Sequence, residues 1–114
     1  FVGLNFNGNH TTLADPQVHL TKTWVGKAEG NVARDADRGS SSSRWPFEQA
    51  IARGYAIATF YQGDVDPDKK DDWTDGIHPH YYKAGQSKPG PHEWGCIAAW
   101  AWGLSRAADY LAQD

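Results

Sequence analysis

The chain contains serine, histidine and aspartate side chains, but their spacing assembles no catalytic motif. Ser105 stands in "GLSRA", inside a helical pattern and without the glycine-flanked turn that presents a hydrolase nucleophile. His10 and His19 lie in irregular sequence, where a single histidine is usually only solvated. We therefore assign none of these side chains to a catalytic triad and expect no catalytic side chain within the chain.

The acidic stretch "DVDPDKKDDWTD" (64–75) comes nearest to a metal site. Four aspartates stand at positions 1, 3, 5 and 12 of a calcium-loop template: Asp64, Asp66, Asp68 and Asp75. The template fails because Lys69 replaces the glycine required at its sixth position and Pro67 disturbs the turn. We predict instead that Asp64 and Asp66 cap helical turns or hold neighbouring loops.

The other candidate ligands do not form a metal site either. His78, His80 and His92, with Glu93, lack the spacing of a zinc site and are predicted to be solvated or structural. We therefore expect no metal and no other cofactor. The single cysteine, Cys96, excludes an internal disulfide, and its apolar neighbours predict a small buried side chain.

The composition is that of an ordinary soluble globular domain. Of 114 residues, 39% are hydrophobic, and the formal net charge is −3. The chain has no basic stripe and no acidic tail, which argues against nucleic acid and anionic membrane as partners. Six tryptophans, five tyrosines and four phenylalanines either fill a core, which is our first interpretation, or stack on sugar rings.

The elements that must position these residues alternate between strand and helix. Apolar, β-rich segments predict strands at 1–6 and 55–61, and the second, which lacks alternation, is predicted to be buried on both faces. "WPFEQAIAR" (45–53) predicts a short helix ended by Gly54, and a long helix is predicted over 93–113. This order predicts an α/β sheet with parallel strands and crossover helices.

Two long irregular stretches, 7–44 and 62–92, leave the carboxyl ends of these strands. Ligands bind at that edge of α/β sheets, so both loops are expected on the functional edge. Within the first loop, "GSSSS" (39–43) is predicted to be flexible surface. Apolar residues on one face of the long helix are predicted to meet a core: Ile97, Ala101, Leu104, Ala108 and Leu111.

Four segments carry a resemblance to a known family: "GLNFNGNHT" (3–11), "RGYAIATFYQGDVDPD" (53–68), "DGIHPHYY" (75–82) and "EWGCIAAWAWGLSRAADYL" (93–111). In this order they resemble the glucuronoyl esterases of carbohydrate esterase family 15, above all the bacterial branch. The resemblance implies an α/β-hydrolase fold with a Ser-His-acid triad and no metal. It also implies cleavage of the ester between 4-O-methyl-glucuronic acid of xylan and lignin alcohols.

The resemblance further implies where the chain lies in that fold. Residues 1–114 would be part of one three-layer αβα domain, with 1–6 as its third strand and 55–61 as its fourth. The long helix would lead to the fifth strand, and the nucleophile elbow, the catalytic acid and the histidine are expected downstream. The rest of the same polypeptide would then be needed to complete the fold. The substrate implies a secreted or periplasmic protein.

Backbone N–H groups of Phe6, Asn7 and Gly8 are candidates to bind the oxyanion, by analogy with other α/β-hydrolases. The alternative is a plain glycine turn in which Asn7 and Asn9 satisfy their own backbone. An arginine beside the nucleophile, implied by the family, would reduce the role of this loop.

Other side chains are expected along the substrate edge: Asn9, His10, Arg44, Trp45, Asp64, Asp66, Trp73, Tyr81 and Tyr82. The aromatic members would stack on a xylan sugar or a lignin ring, or would simply pack within their loops.

Two further functions stay open. A different polysaccharide esterase, such as an acetyl xylan esterase, would share the fold and act on another acyl group. A non-catalytic carbohydrate-binding relative would use the same aromatic side chains, although a β-sandwich module would require many short alternating strands that this chain does not offer.

Overall fold

Two short parallel strands lie at the centre of the chain, with one short and one long α-helix. The computed structural model describes residues 1–113, in which strand β1 spans Val2–Asn5 and strand β2 spans Ala58–Tyr61. Helix α1 spans Phe47–Ala52, and helix α2 spans Cys96–Leu111. The predicted order of strands and helices is confirmed.

The strands pair in parallel, in a register that runs from Val2 opposite Ala58 to Asn5 opposite Tyr61. The Trp45 ring lies directly over β1 at Gly3, where an added Cβ would stand 3.3 Å from the indole. Because the strands are parallel, both carboxyl ends and both long connections meet at one edge of the sheet.

The elements are shorter than predicted, and local contacts explain their ends. Helix α1 begins after Pro46 and ends before Gly54, whose φ of +79° favours glycine. Helix α2 begins at Cys96 and not near Glu93, because Gly95 has an extended backbone. The Glu93 carboxylate accepts a hydrogen bond from the Gly90 N–H (2.7 Å). That bond folds the preceding turn and lowers the pKa of Glu93.

The packed face of α2 differs from the predicted one. Ile97 is 78% exposed and Leu111 is 45% exposed, whereas Ala99 and Gly103 are buried. Helix α2 packs on β1, and its buried Gly103 packs against Val65 and against Phe60 of β2. Of the other residues on the predicted face, Ala101 and Ala108 are exposed and Leu104 is half-buried, so the prediction of this face is wrong.

Burial of β2 on both faces is also not observed. Of its four residues only Tyr61 is buried, and the buried apolar side chains of residues 1–113 are Val25, Tyr61 and Ala99. The described chain supplies no second layer that would cover β2 completely. No helix in this part is long and apolar enough to cross a membrane.

The first long loop is organised by main-chain hydrogen bonds. The N–H of Gly39 donates to the carbonyl of His10 (2.9 Å), and the N–H of Ser41 donates to the carbonyl of Thr11 (2.8 Å). Ser42–Arg44 then forms a 3-10 turn. The serine run therefore lies at the surface as predicted, but it forms a defined turn that folds over His10.

Replacing Gly103 with alanine is expected to destabilise the protein. An added Cβ would lie 2.8 Å from Cγ2 of Val65, a stiff β-branched side chain. Overpacking of this kind costs about 1–3 kcal/mol, which exceeds the gain of about 1 kcal/mol from better helix propensity. The thermal midpoint of the natural polypeptide that carries this chain should therefore fall, whereas exposed Ser105→Ala in the same helix should leave it nearly unchanged. A raised midpoint for Gly103→Ala would contradict this packing.

Candidate functional site

Polar side chains are buried where β1 and β2 end, and this region is the candidate site. Asn5 closes β1 and Gln62 follows β2, and both are buried. The Asn5 Nδ2 group donates to Asn9 (2.7 Å) and to Thr59 (3.2 Å), which ties the two strand ends together. Parallel pairing thus creates a polar edge of the kind at which α/β proteins bind ligands.

The segment after β1 turns sharply at Gly8. Its φ is +93°, and an added Cβ would lie 2.7 Å from the His10 ring. The Gly8 carbonyl accepts hydrogen bonds from the N–H (3.0 Å) and the Oγ1 (2.9 Å) of Thr11. Only glycine fits this turn, both for its backbone angle and for the space available.

The oxyanion candidates in this segment have unused donors. Within residues 1–113, the backbone N–H groups of Asn7 and Gly8 donate to no protein acceptor. The amide of Asn7 donates instead to Ser41 Oγ (3.2 Å), and Asn9 Oδ1 accepts from Asn5, so neither side chain satisfies its own backbone as the plain-turn alternative requires. Oxyanion binding by this segment stays a prediction.

The sequence suggested that His10 is a solvated loop histidine, and this prediction is wrong. It is 1% exposed, and neither ring nitrogen has a hydrogen-bond partner among the described residues. Burial lowers the pKa of His10, and the nearby charge of Arg38 lowers it further. The ring is therefore neutral near neutral pH and packs against Gly8.

Arg44 and Trp45 lie beside the oxyanion candidates. A cleft of about 160 Å³ is lined by Phe6, Asn7, Arg44 and Trp45, among others. Trp45 stacks on Phe47 with ring centroids 6.1 Å apart. The structure thus brings a free backbone donor, a guanidinium and an indole to one cleft at the strand ends.

Asp64 holds two loops together, which confirms its predicted structural role. Its Oδ1 accepts hydrogen bonds from Thr21 Oγ1 (2.5 Å) and Thr23 Oγ1 (2.9 Å). Beneath this contact, the Tyr61 hydroxyl donates to the Trp24 carbonyl (2.7 Å). Burial raises the pKa of Tyr61 to about 12, so this hydroxyl keeps its proton as a donor. Sequence reasoning missed Thr21, Thr23 and Trp24, which carry no motif.

Asp66 and His78 form the centre of the second loop. The two side chains are almost completely buried, with His78 Nδ1 2.6 Å from Asp66 Oδ1. The His78 ring stacks on Trp94 at 4.3 Å and meets the edge of Trp73 at 5.0 Å. The structural alternative predicted for His78 is confirmed, as is the loop-holding role of Asp66.

The aromatic candidates of this loop divide into two groups. Trp73 and Tyr82 pack within the loop, where the Tyr82 hydroxyl donates to the Trp73 carbonyl (2.9 Å). Tyr81 is 60% exposed and meets Trp94 edge-on at 5.6 Å. Tyr81 and Trp94, with Trp102 from α2, line an apolar cleft of about 350 Å³.

Trp100 joins the two halves of the site, a role that sequence reasoning missed. Its indole Nε1 donates to the Asp66 carbonyl (2.8 Å), and its ring meets Phe6 edge-on at 5.9 Å. Neighbouring Cys96 is only partly buried, and burial, followed by a hydrogen bond with Asp66, raises the pKa of its thiol to about 12. The described residues contain no cluster of three or more His, Cys, Asp or Glu that could hold a metal ion.

Comparisons with known proteins show which class of protein the chain is similar to. No family model matches the chain. A curated carbohydrate esterase, MZ0003, from an unknown prokaryotic organism, is 48% identical over 119 residues, which is all of this chain and 27% of that protein. The chain therefore spans about a quarter of the length of this relative.

Two solved structures refine the comparison. A promiscuous CE15 esterase from a marine bacterial metagenome matches with a TM-score of 0.81 and 46% identity, over 100% of this chain and 30% of that one. A glucuronoyl esterase from Solibacter usitatus matches with a TM-score of 0.86 and 42% identity, over 99% of this chain and 29% of that one. The predicted resemblance to carbohydrate esterase family 15 is confirmed. Along its whole length, the chain resembles a segment of its glucuronoyl esterases.

Tyr61→Phe is expected to destabilise the protein because it leaves the Trp24 carbonyl without its donor. Loss of a partly buried hydrogen bond costs about 0.5–1.5 kcal/mol. Urea unfolding of the natural polypeptide should show this loss, whereas Tyr55→Phe, at an exposed tyrosine, should change stability by about 0.5 kcal/mol or less. Equal effects of the two substitutions would rule out a special role for the Tyr61 hydroxyl.

Proposed function

We propose that this chain forms part of a serine carbohydrate esterase that cleaves the ester between 4-O-methyl-glucuronic acid of xylan and lignin alcohols. The observation that carries this proposal is the structural match to a glucuronoyl esterase over 99% of this chain and 29% of that one, at a TM-score of 0.86. The polar edge at the ends of β1 and β2, with free N–H groups at Asn7 and Gly8, supports it. Such an enzyme acts on an extracellular polymer, so we place it outside the cytoplasm.

In this proposal, some of the groups that catalyse the reaction lie in this chain and the others lie in the rest of the polypeptide. A serine hydroxyl attacks the ester carbonyl while a histidine removes its proton, and the alcohol leaves to give an acyl-enzyme that water hydrolyses. We assign the serine, histidine and acid to the rest of the polypeptide. The contribution of this chain is to donate hydrogen bonds from Asn7 and Gly8 to the oxyanion in each tetrahedral intermediate.

The rest of the polypeptide is also needed for a stable fold in this proposal. A two-stranded parallel sheet leaves both outer edges unpaired, and apolar side chains such as Ile97 stand exposed. The buried apolar residues of the described chain are too few to offset the entropy of ordering its long loops.

The full-length protein is expected to hydrolyse benzyl glucuronate esters, and residues 1–114 alone are expected to be inactive. Release of glucuronic acid measures activity, and calorimetry of the isolated chain measures folding. A cooperative transition in the isolated chain would contradict its dependence on the remaining sequence. Acetyl ester cleavage without glucuronate ester cleavage would favour another polysaccharide esterase, and sugar binding without either activity would favour a binding relative.

If backbone N–H groups after β1 bind the oxyanion, substitutions at Gly8 and at Asn7 should lower kcat by different amounts. Gly8→Ala strains a φ of +93° and drives a Cβ into the His10 ring, so the N–H groups should move and kcat should fall about 100-fold. Asn7→Ala keeps its backbone N–H and should lower kcat less than about tenfold. Steady-state kinetics on the folded full-length variants test this, and the reverse order of effects would assign the role to the Asn7 side chain.

A further inference from the structure

A second cleft adjoins the oxyanion candidates and is formed by the first long loop. Its volume is about 320 Å³, at the lower end of the range of about 300–1,000 Å³ that small-molecule sites occupy. Its lining is mostly polar and includes Asn7, His10, Arg34, Asp37 and Ser41. Asn7 and Ser41 also line the cleft of about 160 Å³ described above, so the two clefts are neighbours. The larger one is called the polar cleft below.

The lining of the polar cleft contains buried polar atoms that lack a protein partner. Within residues 1–113, three such atoms have no hydrogen bond: Asn7 Oδ1 and both ring nitrogens of His10. The His10 side chain is almost completely buried. Thr11 of the same lining is satisfied, because its Oγ1 donates to the Gly8 carbonyl (2.9 Å). Since buried polar groups are nearly always paired, the three remaining atoms indicate a polar ligand.

These three atoms restrict the chemistry of that ligand. Asn7 Oδ1 can only accept, so the ligand must donate a hydrogen bond to it. The neutral His10 ring offers one donor and one acceptor, and a hydroxyl group can pair with either nitrogen. An ionised carboxylate can only accept and would leave Asn7 Oδ1 unpaired. The lining therefore suits a ligand that carries hydroxyl groups.

The charged side chains of the polar cleft balance one another. Lys27 and Arg34 are positive, and Glu29 and Asp37 are negative. Arg34 already pairs with both acids, and its Nε lies 3.0 Å from the Asp37 carboxylate. Complementarity of charge therefore favours an uncharged ligand over an anion or a cation.

We infer that the polar cleft is a subsite for an uncharged sugar unit of the substrate, whose hydroxyl groups pair with His10 and with Asn7 Oδ1. The inference rests on the proposed function, in which the ester is carried on a xylan chain. Because Asn7 and Ser41 separate the two clefts, a xylose unit in the polar cleft lies next to the proposed oxyanion site. The backbone of Asn7 then serves the ester and its side chain serves the sugar.

Binding of xylotriose to the full-length protein tests the subsite without ester chemistry. Ala28 lines the polar cleft on extended backbone, so Ala28→Phe should fill part of the cleft. Calorimetry should show saturable binding to the unmodified protein and about tenfold weaker binding to Ala28→Phe. The matched control is Ala36→Phe, at an exposed alanine of the same loop outside this lining, which should bind xylotriose normally. No binding to the unmodified protein, or equal binding to Ala28→Phe, would overturn the inference.

NMR of the unmodified protein, labelled at histidine, gives a second measurement that needs no folded cleft variant. The ring signals of His10 should shift as xylotriose saturates the protein, whereas those of exposed His80 should not. Sodium acetate at the same concentration, a carboxylate without hydroxyl groups, should shift neither. Unchanged His10 signals with xylotriose, or an equal shift with acetate, would contradict a sugar subsite at this histidine.

Kinetics test whether the subsite serves the proposed esterase. Ala28→Phe is expected to raise KM for a glucuronate ester carried on xylotriose about tenfold more than KM for benzyl glucuronate, which has no xylose. Equal changes for the two esters would remove the link between the cleft and the reaction. Xylotriose binding without ester hydrolysis would refute the proposed function and keep the subsite, whereas hydrolysis without xylotriose binding would do the reverse.

Discussion

Parallel pairing of β1 and β2 is the constraint on which the rest of the structure depends. Because the two strands run in the same direction, both carboxyl ends lie at one edge, and every residue that follows a strand is delivered there. The chain must then cross back over the sheet, which accounts for the two long connections. The same edge receives Asn5 and Gln62 from the strand ends and Gly8 from the first loop.

Most charged and polar residues at this edge hold the loops together and are not placed to react. Asp64 accepts hydrogen bonds from two threonines, Asp66 contacts a buried histidine, and Arg38 donates to the carbonyls of Asp15 and Val18 (both 2.7 Å). Long loops without regular secondary structure must satisfy their backbone groups in this way. Within the described residues, the N–H groups of Asn7 and Gly8 donate to no protein acceptor, which supports their proposed role in oxyanion binding.

Trp100 connects this loop framework to the helix layer. Its indole donates to the Asp66 carbonyl, and its ring contacts Phe6, so one side chain of α2 touches both loops. In the same helix, Gly103 has no side chain and so leaves room for Val65 and for Phe60 of β2. Helix α2 therefore contacts both the segment of the oxyanion candidates, at Phe6, and the loop that contains Asp66.

The sequence by itself determined the order of elements, the parallel strands, the family resemblance and the structural roles of Asp64 and Asp66. These follow from local pattern and turn chemistry, which depend on nearby residues. Tertiary structure alone decided that His10 is buried, that α2 packs through Ala99 and Gly103, and that His78 meets Asp66 and Trp94. Each of these depends on contacts between segments far apart in sequence, and side-chain size misled the prediction for α2 because close packing on a strand selects the smallest residues.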